Sequence, residues 1–479
     1  MKPFLFFLLL LSTAFSQNLP PDPPREFRAA WVATVWNIDW PSKPGLPAST
    51  QKSQLLAILD RAASLNLNAV ILQVRPAGDA LYQTDLEPWS SVLSGTEGRS
   101  PGYDPLAFAV AEAHRRGLEL HAWFNPFRPA TAAGKSHPSN HVTRRFPDAV
   151  RTYRKKPWMD PGDPRVRAHT IKVITDVARR YDVDGVHIDD YFYPYPSAGQ
   201  KTDFPDSATY ARYGRGKNRD AWRRSNTDTF VRDLYSAIKK TRPHVKFGIS
   251  PFGIWRPGNP RGIEAKLDSF AHIHADSRRW LNEGWCDYFS PQLYWRIEPR
   301  KQSFTALTGW WNSENKKRRH LWPGVATSRV SSKEDPGRPA SEIINQINAT
   351  RSLINRSVPG HIHWSFTPLK QNRSGVADLT RRQLYPTKSL VPASPWLGKT
   401  KLPAPTVRPT AATTFTWSPA QRGTRWWAVQ TLSNGRWQHV ATLPASQTSI
   451  TLKSAPQGLA IHPVDYYGNS SKPGVLNKR

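Results

Sequence analysis

The sequence predicts an α/β protein: a (β/α)8 TIM barrel followed by a small all-β sandwich of fibronectin type III or immunoglobulin-like kind. Three observations carry that expectation. Short runs rich in Val, Ile, Phe and Trp alternate with stretches of helical apolar spacing over about 360 residues, and eight such pairs are the arithmetic of the barrel. No Gly-rich phosphate loop follows the first run, which disfavours a doubly wound open sheet. From about Leu390 the helical periods stop and short alternating segments with turn residues take over.

Taken in order, residues 1–16 read as an export signal. One basic residue precedes an apolar run from Phe4 to Leu11, and small residues at Ala14 and Ser16 suit cleavage before Gln17. That run is far shorter than the roughly 20 residues of a membrane span, so no transmembrane segment is expected and the mature chain should be periplasmic or extracellular. No cysteine stands at the cleavage site, which argues against a lipid anchor there. The sole cysteine, Cys286, excludes an internal disulfide.

Residues 25–388 are expected to form the barrel. The strands read are FRAAWVAT (27–34), AVILQVRP (69–76), LELHAWFNP (118–126), GVHIDD (185–190), VKFGISPFG (245–253), YFSPQLYW (288–295), LWPGVA (321–326) and HIHWSF (361–366). Helices are expected over 51–66, 104–117, 164–181 and 224–243. Asp104-Pro105 and Asp163-Pro164 start two of them, and Gly117 ends one. A Pro-rich, extended linker follows over 389–402, and the sandwich occupies 403–479. Such a module is more often a spacer or docking piece than a catalyst.

The net charge of +31 comes from 67 Lys and Arg against 36 Asp and Glu. In an exported protein this suits either a solvated basic surface or contact with anionic cell-wall polymer or membrane surface. Nucleic acid is not an expected partner, because the basic residues are spread along the chain and export disfavours it.

Barrel geometry sorts the candidate residues, since alternate side chains face the helices outside or the interior, whose carboxyl end holds the active site. With apolar residues outward, Gln73 and Arg75 on strand two and His121, Trp123 and Asn125 on strand three point in. On strand four, His187 and Asp189 point in while Asp190 falls in the loop. Ser250, Gln292, Tyr294, His361 and His363 complete the inward set. Burying so many polar groups is costly unless they bond to one another or to a ligand. His121, His187, His361, His363 and Asp189 would be the ligands of a metal-dependent hydrolase, but their spacing matches no recognised zinc signature, so no metal or cofactor is expected.

Five long motifs carry a resemblance: FRAAWVATVWNIDWP (27–41), PGYDPLAFAVAEAHRRGLELHAWFNPFR (101–128), YDVDGVHIDDYFYP (181–194), FGISPFGIWR (247–256) and ADSRRWLNEGWCDYFSPQLYW (275–295). Through them the chain resembles glycosyl-hydrolase-like family ten, exported bacterial (β/α)8 proteins. The resemblance implies an enzyme hydrolysing a polysaccharide, peptidoglycan glycan strands above all. That chemistry needs one protonated and one ionised carboxyl group. Asp189 suits the ionised partner, with His187 and Arg75 expected to hold its pKa low. Asp190 is the nearest proton donor, with Asp39, Asp79, Asp276 and Glu87 as alternatives. Gln73, Asn125 and Gln292 are placed to bond hydroxyls, and Trp36, Trp123, Tyr191, Tyr193, Trp255, Tyr294 and Trp295 to stack on sugar faces. A non-catalytic glycan-binding or scaffolding protein is the alternative of a different class.

Overall fold

The structure is a computed structural model that describes residues 19–130, 136–196, 203–354 and 359–477. The expected export signal lies outside the described residues. Among the described residues, eight parallel strands alternate with eight main helices, as the periodicity predicts. The strands are β1 (Phe27–Val32), β2 (Ala69–Arg75), β3 (Glu119–Phe124), β4 (Gly185–Ile188) and β5 (Lys246–Ile249). Then come β6 (Tyr288–Phe289 with Gln292–Leu293), β7 (His320–Leu321 with Gly324–Val325) and β8 (Gly360–His363). Pro291 and Pro323 split β6 and β7, because proline has no N–H to give a ladder.

The ring closes. β1 pairs in parallel with both β2 and β8. The first half of β6 pairs with β5 and β7, and its second half pairs with the second half of β7, which also pairs with β8. The helices are α1 (Ala48–Ser64), α2 (Pro105–Arg115), α3 (Pro164–Arg180) and α4 (Arg219–Thr241). After them follow α5 (Ser277–Glu283), α6 (Phe304–Glu314), α7 (Ala340–Leu353) and α8 (Val376–Gln383). In α1, Leu55, Ile58, Leu59 and Ala62 recur at helical spacing and are buried against the barrel. Each of the leucines and the isoleucine contributes about 1.5–3 kcal/mol on burial. Asp104 and Asp163 cap α2 and α3, each accepting a backbone N–H ahead of a first-turn proline.

Inside, bulky rings on some strands fit over glycines on others. A Cβ on Gly248 would stand 1.9 Å from the Tyr288 ring, and one on Gly185 would stand 2.5 Å from His121. Phe27, Trp31, Trp123, Tyr288, Trp322 and Ile362 pack together in this interior. The barrel is therefore a filled core, with room for a ligand only at its ends.

Downstream, a three-stranded sheet (Val407–Pro409, Thr414–Trp417, Ser449–Thr451) faces a four-stranded one (Thr424–Ser433, Arg436–Pro444, Gly458–Asp465, Gly474–Asn477). Phe415, Trp417, Trp427, Val429, Leu459 and Ile461 form the core between them. This module docks on the amino end of the barrel, away from the strand tips. Its Arg425 donates to Asp182 and Asp184, the latter just before β4, and to His114 at the end of α2. The Pro-rich stretch before it also packs on the barrel, with Leu390 bridging Arg25 and the Trp396 indole donating to Asp287 at 2.9 Å.

Candidate active site

β4 ends at Ile188, and two aspartates follow at once. Val186 and Ile188 face the helices and His187 faces the interior, as the alternation predicts. Asp189 and Asp190 both lie beyond the strand end, and both are buried. The difference between them is in their partners. Asp189 Oδ2 accepts from the Trp123 indole at 3.1 Å and from Asn125 at 3.4 Å, while its Oδ1 is buried with no hydrogen-bond partner. Asp190 Oδ2 accepts from the Tyr195 hydroxyl, and Gln292 also bonds its carboxylate.

Burial raises both pKa values. Asp189 is pushed up to about 7; Arg128 works against the rise and Asp190 adds to it. Asp190 reaches about 6, with the Tyr195 bond restraining it. This corrects the expectation that His187 and Arg75 hold Asp189 low. His187 is neutral: burial and then His121 depress its pKa. It accepts from the Trp31 indole at 3.1 Å and lies 3.0 Å from the Tyr288 hydroxyl. Arg75 is committed to Glu87, donating from Nε at 2.7 Å. Burial works to raise Glu87, and Arg75 overrides it to hold that carboxyl at about 2. The cation at the aspartates is instead Arg128, just past β3.

Arg128 is the residue the alternation rule missed, because the rule stops at the strand end. Its guanidinium lies 4.7 Å from the centre of the Tyr191 ring and 5.8 Å from that of Trp36, and donates to the Pro76 carbonyl. Asn125 fixes it by accepting its backbone N–H at 3.1 Å. Tyr195 was missed for the same reason, although the run YFYPYP signals a wall of rings.

The other predicted residues divide by depth. Gln73 faces inward and its Oε1 accepts the backbone N–H groups of Thr34 and Val35, anchoring the loop that carries Trp36. His121 lies deep in the interior between Tyr288 and Glu119. Trp123, Asn125, Tyr191 and Gln292 surround the aspartates, and Tyr294 is close enough for Asp190 to raise its phenol pKa after burial. Trp364 stacks on Tyr294 at 6.3 Å and meets Trp123 and Trp31 edge-on at 6.0 Å, so an aromatic box adjoins the carboxylates. Trp255 belongs to the loop after β5, where its indole donates to Asp276 and its ring stacks on Trp310. Beyond Arg128, a cleft of about 780 Å³ is lined by Trp36, Asp79, Glu97 and His137 among others. Trp36 is 64% exposed there.

The expectation for β8 is overturned. Ile362 points into the interior, and His361 and His363 face outward to the Tyr385 hydroxyl. The five metal-ligand candidates are thus dispersed. Among the described residues the cluster able to converge on an ion is Glu97, His137 and His141. His141 Nδ1 accepts the Thr143 N–H and its Nε2 faces the Pro129 carbonyl at 3.0 Å, so this ring is satisfied as a neutral donor without an ion.

A closed barrel with a buried carboxylate pair and aromatic walls at its carboxyl end places the molecule among the α/β barrels that carry chemistry on their strand tips. The chain belongs to the Glycosyl hydrolase-like 10 family, which matches residues 26–338. It is similar to the glycosyl hydrolase YngK of Bacillus subtilis, 42% identical over 402 residues covering 82% of this chain and 78% of that one. The glycosyl hydrolase DigH of Escherichia coli K12 is 36% identical over 325 residues, 63% of this chain and 73% of its own. Among solved structures, the catalytic domain of β-amylase from Paenibacillus polymyxa is similar with a TM-score of 0.47 and 12% identity, over 74% of this chain and 99% of that one.

Proposed function

We propose that this chain is an exported glycoside hydrolase that cleaves peptidoglycan glycan strands, with Asp189 and Asp190 as its catalytic carboxyl groups. The observation that carries the reading is Asp189 Oδ1, a buried carboxyl oxygen with no partner, beside a second buried carboxylate. An orphaned polar atom costs about 1–3 kcal/mol, which a ligand would relieve. Because Oδ2 already accepts two N–H groups, a proton on this acid sits on Oδ1, free to pass to a glycosidic oxygen. Asp190 keeps its charge more readily through Tyr195 and Gln292. The roles are thus the reverse of the sequence expectation: Asp189 is the acid and Asp190 the ionised partner. Activity needs both states at once, so kcat/KM should be bell-shaped in pH, with limbs set by groups near 6 and 7.

Action on a glycosidic bond is proposed from the family and the relatives' names, with aromatic walls that suit stacking on sugar faces, and peptidoglycan is proposed from the motif resemblance alone. The basic charge favours residence on anionic cell-wall polymer. The test is digestion of purified glycan strands, with and without stem peptides, followed by mass spectrometry. Saccharide fragments from either preparation support the reading. Binding of strands without any product would favour a glycan-binding protein instead.

A further inference from the structure

The aspartates supply only one side of a glycosidase site. An acid and a nucleophile, or an acid and a base for water, usually flank the anomeric carbon, their carboxyl groups about 5–5.5 Å or about 6.5–9.5 Å apart. Asp189 and Asp190 are consecutive, with Cα atoms about 3.8 Å apart, and both enter from the loop after β4. Their partner would have to come from another wall.

Among the described residues, the carboxyl groups on the walls after β1, β2 and β7 are held by partners or exposed, and after β5 Asp276 accepts from the Trp255 indole. Directly across the barrel, the segment 364–375 after β8 contains no Asp or Glu, and neither do residues 131–135, 197–202 and 355–358. After β7, Asp335 is paired with Arg296 and Arg338, and Glu334 is 78% exposed on its side chain. After β1, Asp39 accepts from Ala33, Ser365 and Thr367. After β2, Glu87 is locked by Arg75, and Asp79, pushed up to about 6 by burial, bonds the Ala77 N–H and lines the Trp36 cleft, whose lining includes neither Asp189 nor Asp190. Beside the pair stands an aromatic box: Trp123, which donates to Asp189, packs against Trp364, and Trp364 packs against Trp31 and Tyr294.

Resting on the glycosidase reading above, we propose that the substrate supplies the nucleophile: the site takes β-linked 2-acetamido-2-deoxy sugars and uses the acetamido carbonyl oxygen to displace the aglycone. The Asp189 Oδ1 proton passes to the glycosidic oxygen, and the C1–O bond breaks with its electron pair leaving on that oxygen. The amide oxygen forms the new bond to C1, closing an oxazolinium ring whose N–H is held by the Asp190 carboxylate. Water then attacks C1 and gives its proton to Asp189, and the ring C1–O bond opens to restore the amide. Two inversions give net retention. The aromatic box receives the acetamido methyl, and Tyr195 positions Asp190 against the N–H.

The test compares peptide-free glycan strands with the same strands chemically de-N-acetylated, adds an N-acetylglucosamine thiazoline as probe, and follows the new anomeric centre by NMR. Expected results are β-anomer formed first, at least a hundredfold slower cleavage of the de-N-acetylated strands, and competitive inhibition by the thiazoline. Asp190→Ala should abolish thiazoline inhibition while leaving the fold intact by circular dichroism. Cleavage with inversion, or a 2-fluoro sugar trapped on an aspartate, would overturn the participation and leave a glycosidase standing. Absence of cleavage of both strand preparations, with no thiazoline binding by calorimetry, would overturn both readings.

Discussion

Replacing Asp189 with asparagine should stabilise the protein, and by an amount that depends on pH. In the unfolded chain the carboxyl titrates near 3.8, and in the folded chain near 7. Between those values the native state binds more protons than the unfolded one, so stability falls as pH rises through the window. The cost is absent below about pH 4 and complete above about pH 7. Three pKa units at 1.36 kcal/mol each give about 4 kcal/mol. Asparagine retains an acceptor for Trp123 and Asn125 but buries an amide, so a gain of about 2–4 kcal/mol is expected at pH 8, and little at pH 4. Urea unfolding of wild type and Asp189→Asn at both values, followed by tryptophan fluorescence, measures it. A pH-independent difference, or destabilisation at pH 8, would refute the assignment of a high pKa to Asp189.

Four further variants probe the same contacts. Arg75→Met leaves the buried Glu87 carboxylate with only His169 as a side-chain partner and should cost about 3–5 kcal/mol by urea unfolding, whereas a surface arginine would cost little. Trp123→Phe removes an N–H that favours the Asp189 carboxylate, so the alkaline limb of kcat/KM should move up by about one pH unit; Tyr195→Phe should move the acidic limb up likewise. Arg425→Ala takes the arginine from the buried Asp184 at the junction with the sandwich, leaving it His114 and the Leu120 N–H. It should lower thermal stability by about 1–3 kcal/mol, while turnover of a soluble glycan stays at the wild-type rate, since the junction lies at the opposite end from the aspartates.

The barrel was legible because its strands obey one rule: apolar residues outward, with period two. That rule placed Gln73, His121, Trp123 and His187 correctly. It failed on β8, where GHIH carries an isoleucine that packs inward with Trp31 and Trp322, and histidines whose partner, Tyr385, comes more than twenty residues later. The charge balance of the site was hidden for a similar reason. Arg75 reads as a cation facing Asp189, but its partner Glu87 lies in a loop whose path the sequence does not reveal. Arg128 and Tyr195 lie past strand ends, where alternation no longer applies, so the electrostatics of Asp189 emerged only from the folded chain.

On the proposed reading, Asp189 delivers the proton that breaks a glycosidic bond. The most direct measurement of this step is the release of reducing ends from peptide-free glycan strands by wild type and by Asp189→Asn at equal concentration near pH 6.5. Steady release by wild type and a loss of at least a thousandfold in the variant, with strand binding retained, are expected. Release by Asp189→Asn at close to the wild-type rate would contradict it.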